Sequence, residues 1–224
     1  NNFLLGMTFR ASSSYFNGSD FLLLELNQTI PLDYNPFFNG WNKSESVFSS
    51  GVSIHHPKGG VKKISTYDTQ LLTANQDPLT KYAYWEVTWA ETINGHGVTE
   101  TGSSGAPVFN QEKLVVGALS QGTSYCSKPE DPDYYGKLSY SWNSQVDSSK
   151  RLDVWLDPLQ TDEESLTGSY FPCNDTIESY VPIDSIFAKL NPVYNKISLY
   201  VEQSVSNSVQ VNLYDVSGKI VENR

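Results

Sequence analysis

Short runs of apolar residues dominate the chain up to about residue 142. They are rich in aromatic and β-branched residues, and Gly, Pro, Asn and Asp separate them. In YAYWEVTW, residues 82–89, a period of two puts Trp85, Val87 and Trp89 on one face. Such alternation is typical of half-buried strands, so we predict an antiparallel barrel or sandwich. The predicted strands are DFLLLEL, VKKIST, YAYWEVTW, GAPVF, KLVVGAL and GKLSYSW.

One segment, SSKRLDVWLDP, has helical spacing instead. Leu152, Trp155 and Leu156 recur at i, i+3 and i+4, which forms one apolar stripe on a helix. A serine of the pair at 148–149 can cap its start, and Pro158 ends it. We therefore predict a helix after the strand-rich region.

The remainder of the chain changes character twice. Residues 160–190 are polar, acidic and weakly periodic, which predicts a linker or an arm over the surface. NPVYNKISLYVEQ and VQVNLYDVSGKIVENR then read as strands, with a turn at Asp215 to Gly218. So few strands do not close a domain. We expect the chain to be cut at this end, and its apolar opening NNFLLGMTF leads to the same expectation for the start.

Composition and charge narrow the functional classes. The 224 residues are 38% hydrophobic and 13% aromatic, which excludes a disordered chain. The formal net charge of -10 argues against nucleic acid and anionic membrane as partners. No apolar run is long enough to predict a transmembrane segment, and no signal peptide opens the chain.

The most informative motif is GVTETGSSGAPVF, residues 97–109. Gly102 permits a sharp turn, and the N–H groups of Gly102 and Ser104 are candidates for an oxyanion site beside the Ser104 hydroxyl. A serine needs a base to become a nucleophile. An ordinary Gly/Ser-rich hairpin is the structural alternative.

Several segments together resemble the trypsin-like, chymotrypsin-fold serine proteases, and among them the bacterial lysyl endopeptidases. They occur in the order of that family over residues 10 to 158. The segments are SDFLLLEL (19–26), IHHP (54–57) followed by KKIS (62–65), GVTETGSSGAPVF (97–109), DYYG (133–136) and RLDVWLDP (151–158).

The resemblance implies a role for four residues. Ser104 matches the nucleophile, and Asp20 matches the aspartate that orients the catalytic histidine. Gly102 and Ser104 match the oxyanion hole. Asp133 matches the acid of the primary specificity pocket, which implies substrates with lysine, or arginine as the alternative, before the cut. The lysyl endopeptidase compared has a histidine beside that pocket where this chain has Ser120, so we expect a different pocket rim.

The base is missing from this pattern. The histidines are His55, His56 and His96. All three follow Asp20, whereas the family's base precedes its aspartate. The resemblance implies that the IHHP pair is structural. His96 is close to Ser104 in sequence but lies in an Asn-Gly-His-Gly turn. We therefore expect the catalytic histidine upstream, together with most of the first barrel.

The two cysteines and the C-terminal residues indicate the compartment in which the protein is found. Cys126 and Cys173 lack metal-like spacing, and they pair either with each other or with upstream cysteines. The resemblance implies an upstream partner for Cys126. Disulfides would indicate an oxidising, secreted setting. Residues 191–221 resemble the start of the C-terminal sorting domains of the Bacteroidetes secretion route, with an Ig-like accessory domain as the alternative.

These observations combine into one prediction and two rivals. The fold is all-β: a chymotrypsin-like double β-barrel with most of the first barrel missing, a C-terminal helix, and the start of a small β-sandwich. The expected function is a secreted or cell-surface bacterial serine endopeptidase that needs no metal and no cofactor. A non-catalytic protease-like binding module and a structural adhesin are the rivals. The domains are a protease part (1–159), a linker (160–190) and an incomplete sorting-type domain (191–224).

Overall fold

The chain folds into two units, Asn1–Pro172 and Cys173–Arg224. The structure is a computed structural model. It describes residues 3–76 and 80–170, followed by the strands at 185–191, 196–202, 212–214 and 220–223.

Strands are the main elements of the first unit. Their bounds are β1 Met7–Ser13, β2 Phe21–Leu26, β3 Trp41–Asn42, β4 Gly51–His55, β5 Lys63–Tyr67, β6 Leu72–Ala74, β7 Tyr84–Val87, β8 Glu91–Thr92, β9 Gly95–His96, β10 Pro107–Phe109, β11 Val115–Gly122, β12 Asp133–Lys137 and β13 Ser165–Leu166. The described helices are short: α1 Leu138–Asn143, α2 Asp153–Leu156, and 3₁₀ turns at Leu32–Tyr34, Pro57–Gly59 and Ser148–Lys150. The all-β prediction is confirmed.

Nine of these strands form one sheet. Its main path runs β5-β4-β10-β11-β12-β7-β6, and all neighbours on that path are antiparallel. β3 pairs in parallel with β11, and β13 pairs with β3. The path ends at β5 and β6, so the described strands do not close a barrel. β11, near the middle of the path, leads into the site described below.

The main core lies on one face of this sheet. Trp85, Val87 and Trp89 are buried in it, as the alternation in YAYWEVTW predicts. The Trp89 and Tyr135 rings meet edge to face, with their centroids 6.2 Å apart. Each large apolar side chain contributes about 1.5–3 kcal/mol when it leaves water, so this cluster is the main source of the sheet's stability.

The hairpin of β1 and β2 leaves one apolar face uncovered. Met7 pairs with Leu26, and Phe9 pairs with Leu24. The exposed fractions of Met7 and Phe9 are 60% and 55%. On the other face, Arg10 binds Glu25 at 2.5 Å and stacks on the Trp155 ring.

Two local predictions are wrong. GKLSYSW was predicted as a strand, but β12 ends at Lys137 and α1 begins at Leu138. Ser141 donates to the Lys137 carbonyl and its hydroxyl meets that of Ser19 at 2.7 Å, which favours the helical turn. The aromatic residues that suggested a strand face inward from this helix, as Trp142 does.

The helix predicted in SSKRLDVWLDP is also interrupted. Arg151 is extended, with φ -131° and ψ 148°, and it separates the 3₁₀ turn from α2. Asp147, not a serine, caps the turn by accepting from the Ser149 amide at 2.9 Å. α2 ends at Leu156, ahead of Pro158.

The predicted linker contains regular structure. β13 pairs with β3, and Phe38 bridges to Ser169, so the chain up to residue 170 forms an arm on the first unit. In the second unit β14 (Ser185–Asn191) pairs with β15 (Lys196–Glu202). The pair β16 (Asn212–Tyr214) and β17 (Ile220–Asn223) agrees with the strands predicted there. The predicted turn at 215–218 lies outside the described residues.

Candidate active site

A cleft of about 730 Å³ lies where β11 ends. Its walls come from the loop before β10, the end of β11, the loop that follows it, and the turn after β4. The lining residues are Lys58, Thr99, Glu100, Thr101, Ser104, Leu119, Gln121, Gly122, Thr123, Ser124, Tyr125, Lys128 and Asp131.

Ser104 is exposed at the edge of this cleft. Its loop is held on both sides: the Ser103 amide donates to the Glu100 carbonyl at 2.9 Å, and the Gly105 amide donates to the Leu119 carbonyl at 2.7 Å. The Ser104 hydroxyl itself bonds to no described residue. A fixed backbone therefore presents a hydroxyl that is available to another group.

Two amides beside this hydroxyl are also available. Gly102 has φ +97°, a left-handed conformation that favours glycine. The N–H groups of Gly102 and Ser104 donate to no acceptor among the described residues, whereas Ser103, Gly105 and Ala106 all donate to carbonyls. Unpaired amides at such a turn can bind an oxyanion.

Asp20 approaches the same end of β11. It has φ +55° and is half-buried. The Ser120 hydroxyl donates to Asp20 Oδ2 at 2.6 Å. The neighbouring residue, Leu119, accepts from Gly105, so two consecutive residues of β11 hold the loops of Asp20 and Ser104. Two candidate triad members thus lie at one end of one strand.

Ser120 faces Asp20 and is not among the residues that line the cleft. Its neighbours Leu119 and Gln121 do line the cleft, and the pairing of β11 with β12 shifts register between them. The expectation of a different pocket rim stays a prediction.

Asp133 lies behind the cleft wall and is fully buried. Its Oδ2 accepts from Trp89 Nε1, Thr99 Oγ1 and Ser124 Oγ, each at 2.6 Å. Its Oδ1 accepts from the Ser124 amide at 3.1 Å. These bonds lower the cost of burying a carboxylate. Thr99 and Ser124 line the cleft, so the carboxylate lies directly behind them.

Gly122 provides the space that this arrangement needs. A Cβ at Gly122 would lie 1.9 Å from Asp133 Oδ1, far inside van der Waals contact. The residue opposite Asp133 on β11 must therefore be glycine. This requirement links the shape of the cleft to the position of the buried acid.

The cleft rim carries paired charges. Lys58 Nζ lies 2.7 Å from Glu100 Oε1, and this hydrogen bond raises the pKa of Lys58. Lys58 is in a turn with φ +52°, and its amide donates to the Thr101 carbonyl at 2.8 Å. Lys128 lies 4.0 Å from Asp131. Sequence reasoning missed the pair of Lys58 and Glu100 because these residues are 42 positions apart in the chain.

None of the three imidazoles bonds to Ser104. His55 is buried and contacts the hydroxyls of Ser103 and Ser65. His56 Nδ1 contacts the Gly60 carbonyl, and His96 Nδ1 contacts the Gly97 carbonyl. The structural role of the IHHP pair stays a prediction.

Other groups add little to the chemistry. Cys126 is exposed and unpaired among the described residues, and the side chain of Cys173 lies outside them. In the described part of the chain, no three His, Cys, Asp or Glu side chains cluster as a metal site would require. No described helix has the length and apolar character needed to span a bilayer.

Comparison with known proteins identifies the relatives of this chain. Residues 1–136 match the family model described as "Lysyl endopeptidase, C-terminal domain". A protein of Pseudomonas aeruginosa named lysyl endopeptidase is 33% identical over 127 residues. The match covers 54% of this chain and 26% of that relative, so the chain spans about a quarter of the relative's length.

A solved structure gives a weaker match. It is Rv3671c from Mycobacterium tuberculosis, crystallised as an inactive serine-to-alanine mutant. The alignment covers 60% of each chain, with 11% identity and a TM-score of 0.37. A TM-score this low does not establish a common fold.

Proposed function

Because the chain belongs to the lysyl endopeptidase C-terminal domain family, we propose that it carries the nucleophile and substrate pocket of a secreted serine endopeptidase that cleaves after lysine. The observation that carries this proposal is the Ser104 loop. It combines an exposed, unbonded hydroxyl and two unpaired amides at the edge of a cleft backed by Asp133. An incidental Gly/Ser hairpin does not require a buried carboxylate behind it.

In the proposed reaction, Ser104 Oγ attacks the carbonyl carbon of the residue before the cut. A base takes the serine proton, and the N–H groups of Gly102 and Ser104 bind the resulting oxyanion. The base then donates that proton to the leaving amine, and water hydrolyses the acyl-enzyme. The chemistry needs no metal or cofactor.

The base in this proposal is a histidine outside residues 1–224. The three histidines of the chain each bond elsewhere, and none contacts Ser104. Asp20 would orient the incoming imidazole, with its own carboxylate held by Ser120. The part of the protein that brings the histidine is then also a partner of this domain.

The lysine preference rests on Asp133 and the groups before it. A substrate ammonium that enters the cleft meets Thr99 and Ser124, whose oxygens lie between it and a buried negative charge. A compact ammonium with three donors suits such separate acceptors. The planar guanidinium of arginine favours a directly accessible carboxylate that it can bind through two parallel hydrogen bonds.

Secretion from a bacterium completes the proposal. The resemblance of residues 191–221 to a sorting domain supports this location. The rival function is a binding module that holds lysine-containing peptides without cutting them. The two functions share the cleft and differ only in turnover.

The decisive experiment digests a mixed peptide library with the protein at the length that its gene encodes. Ser104→Ala is the test variant, and Ser46→Ala, an exposed serine outside the cleft, is the control. We expect cuts after lysine from the parent and from Ser46→Ala, and none from Ser104→Ala. A serine-directed fluorophosphonate should label the parent at Ser104 with loss of fluoride. Binding of lysine peptides without cuts or labelling would leave the binding module as the function.

A further inference from the structure

His55 is a buried imidazole with a serine hydroxyl on each ring nitrogen. Its Nδ1 lies 2.9 Å from Ser103 Oγ, and its Nε2 lies 2.9 Å from Ser65 Oγ. The exposed fraction of His55 is 2%, and that of Ser103 is also 2%. The register of β4 with β10, in which Ser53 lies opposite Val108, brings His55 beside the loop before β10.

The surrounding groups determine which nitrogen carries the proton. The Ser65 hydroxyl donates to the Val98 carbonyl at 3.3 Å, so its oxygen is left to accept from His55. The Ser103 oxygen accepts from the Glu100 amide at 3.5 Å, so its proton needs an acceptor. Only a neutral ring with its proton on Nε2 satisfies both serines, since His55 Nδ1 then accepts from Ser103.

Ser103 connects this network to the reaction site. It lies between Gly102 and Ser104 and contributes no group to the cleft itself. The Ser103 hydroxyl bonds to His55. Its amide donates to the Glu100 carbonyl, and its carbonyl accepts from the Ala106 amide. The backbone on either side carries the two unpaired N–H groups, so the orientation of Ser103 sets their direction.

We propose that neutral His55 is a positioning residue, which holds Ser103 so that the amides of Gly102 and Ser104 face the oxyanion, and that protonation of His55 releases this loop. The inference rests on the proposed function of Ser104. A proton on Nδ1 would turn the acceptor of the Ser103 hydroxyl into a donor, and the hydroxyl proton of Ser103 would lose its acceptor. The site would then be inactivated by acid through a group that never touches substrate.

The surroundings of His55 keep it neutral near neutral pH. Burial lowers the pKa of His55, and the neighbouring His56 lowers it further. Two acids oppose this effect: Asp133 on β12 and Glu100 on the loop before β10. Asp133 is bound by Trp89, Thr99 and Ser124, and Glu100 is paired with Lys58. Neither acid contacts the ring directly.

Two amide variants of His55 separate its two hydrogen bonds. His55→Asn places an acceptor where Nδ1 lies, so it keeps the bond to Ser103 without a titratable group. His55→Gln reaches the position of Nε2, so it keeps only the bond to Ser65. His96→Gln is the control, since His96 bonds only to the Gly97 carbonyl. The measurements are kcat, KM and their pH profiles, made with the gene-length protein on one lysine peptide.

We expect His55→Gln to lower kcat about 10- to 100-fold with KM within about twofold, because the misplaced amides act mainly on the transition state. His55→Asn should keep kcat within about threefold. On the acid side of the pH profile, the slope of log kcat against pH should be smaller for His55→Asn than for the parent by one proton. His96→Gln should match the parent. Equal losses in both His55 variants, or no loss in His55→Gln, would overturn the proposal.

A second readout does not depend on turnover. With selective ¹⁵N labelling, His55 should show the neutral Nε2–H tautomer, and the amide signals of Gly102 and Ser104 should move in His55→Gln but not in His55→Asn. The opposite tautomer, or unmoved amides, would overturn the inference. If no variant cleaves, the parent included, but these signals behave as expected, the proposed function fails and the positioning of the loop stands.

Discussion

Ser120 of β11 donates a hydrogen bond to Asp20 Oδ2 at 2.6 Å. The residue before it, Leu119, accepts a hydrogen bond from the Gly105 amide in the Ser104 loop. Ser104, the proposed nucleophile, and Asp20, the proposed orienting acid, are thereby linked through two adjacent residues of β11. A change at Ser120 should therefore affect catalysis without touching substrate.

We expect Ser120→Ala to lower kcat of the gene-length protein about three- to tenfold, because Asp20 loses the hydrogen bond that Ser120 donates. Ser120→Thr keeps the hydroxyl and should recover most of the rate. Steady-state kinetics on a lysine peptide measures both. Similar losses in the two variants would point to packing around position 120 and not to the hydrogen bond.

Asp133 is the acid on which the proposed lysine preference depends. Asp133→Asn should lower kcat/KM for lysine peptides by a factor between about 30 and a few thousand. This is the usual range when one partner of a buried charge pair is removed. Asp131→Asn, which changes a half-buried acid of the same cleft that lies 4.0 Å from Lys128, is the control and should cost less than about fivefold. If both variants lose activity equally, the cleft attracts lysine through its overall charge and Asp133 has no special role.

Gly122→Ala tests whether the Asp133 carboxylate needs the space that a glycine leaves beside it. Its Cβ would meet the Asp133 carboxylate at 1.9 Å. We expect a loss of about 1–3 kcal/mol in the free energy of unfolding, together with loss of lysine cleavage. Gly60→Ala, at an ordinary φ of -75°, should change stability less. Denaturant unfolding compares the two, and an unaffected Gly122→Ala would mean that Asp133 moves freely.

The predictions that rested on local pattern were mostly correct, and the failures have a physical cause. Trp85, Val87 and Trp89 belong to the main core cluster because the period of two along a strand puts them on one face. LSYSW was misread because its aromatic residues suit a strand as well as a buried helix face. His55 and Ser103 are 48 residues apart. Their contact depends on the register of β4 against β10, which local spacing does not encode.

Lys58 neutralises an acid at the rim of the cleft. Lys58→Gln leaves Glu100 unpaired, so the cleft becomes more negative and should bind lysine peptides more tightly. We expect KM to fall about two- to fivefold at low salt, with a smaller effect at high salt because exposed charges are screened. Lys113→Gln, outside the cleft, is the control. A KM that rises in Lys58→Gln would mean that Lys58 contacts the substrate itself.

The uncovered face of β1 and β2 should make residues 1–224 self-associate when they are produced alone. Phe9 and Leu24 are paired across the strands and exposed to 55% and 40%. Exchanging both for Thr should reduce dye binding and the concentration dependence of sedimentation, because contiguous apolar patches drive association. Ile93→Thr removes an isolated exposed side chain and should change neither quantity. Unchanged association in the double variant would mean that a surface other than this face of β1 and β2 drives self-association.

His55 should also make stability depend on pH. Burial lowers the pKa of His55 below its ordinary value of 6.5, which the unfolded chain retains. The unfolded state therefore binds more protons in the acid range, so the free energy of unfolding rises with pH between the two pKa values. The contribution is complete above about pH 6.5 and declines as the pH falls below it. Denaturant unfolding of the parent and of His55→Asn at matched pH measures it, with His96→Gln as control. The parent should lose stability more steeply than His55→Asn below pH 6.5. Parallel curves would mean that His55 takes up its proton without leaving the Ser103 network.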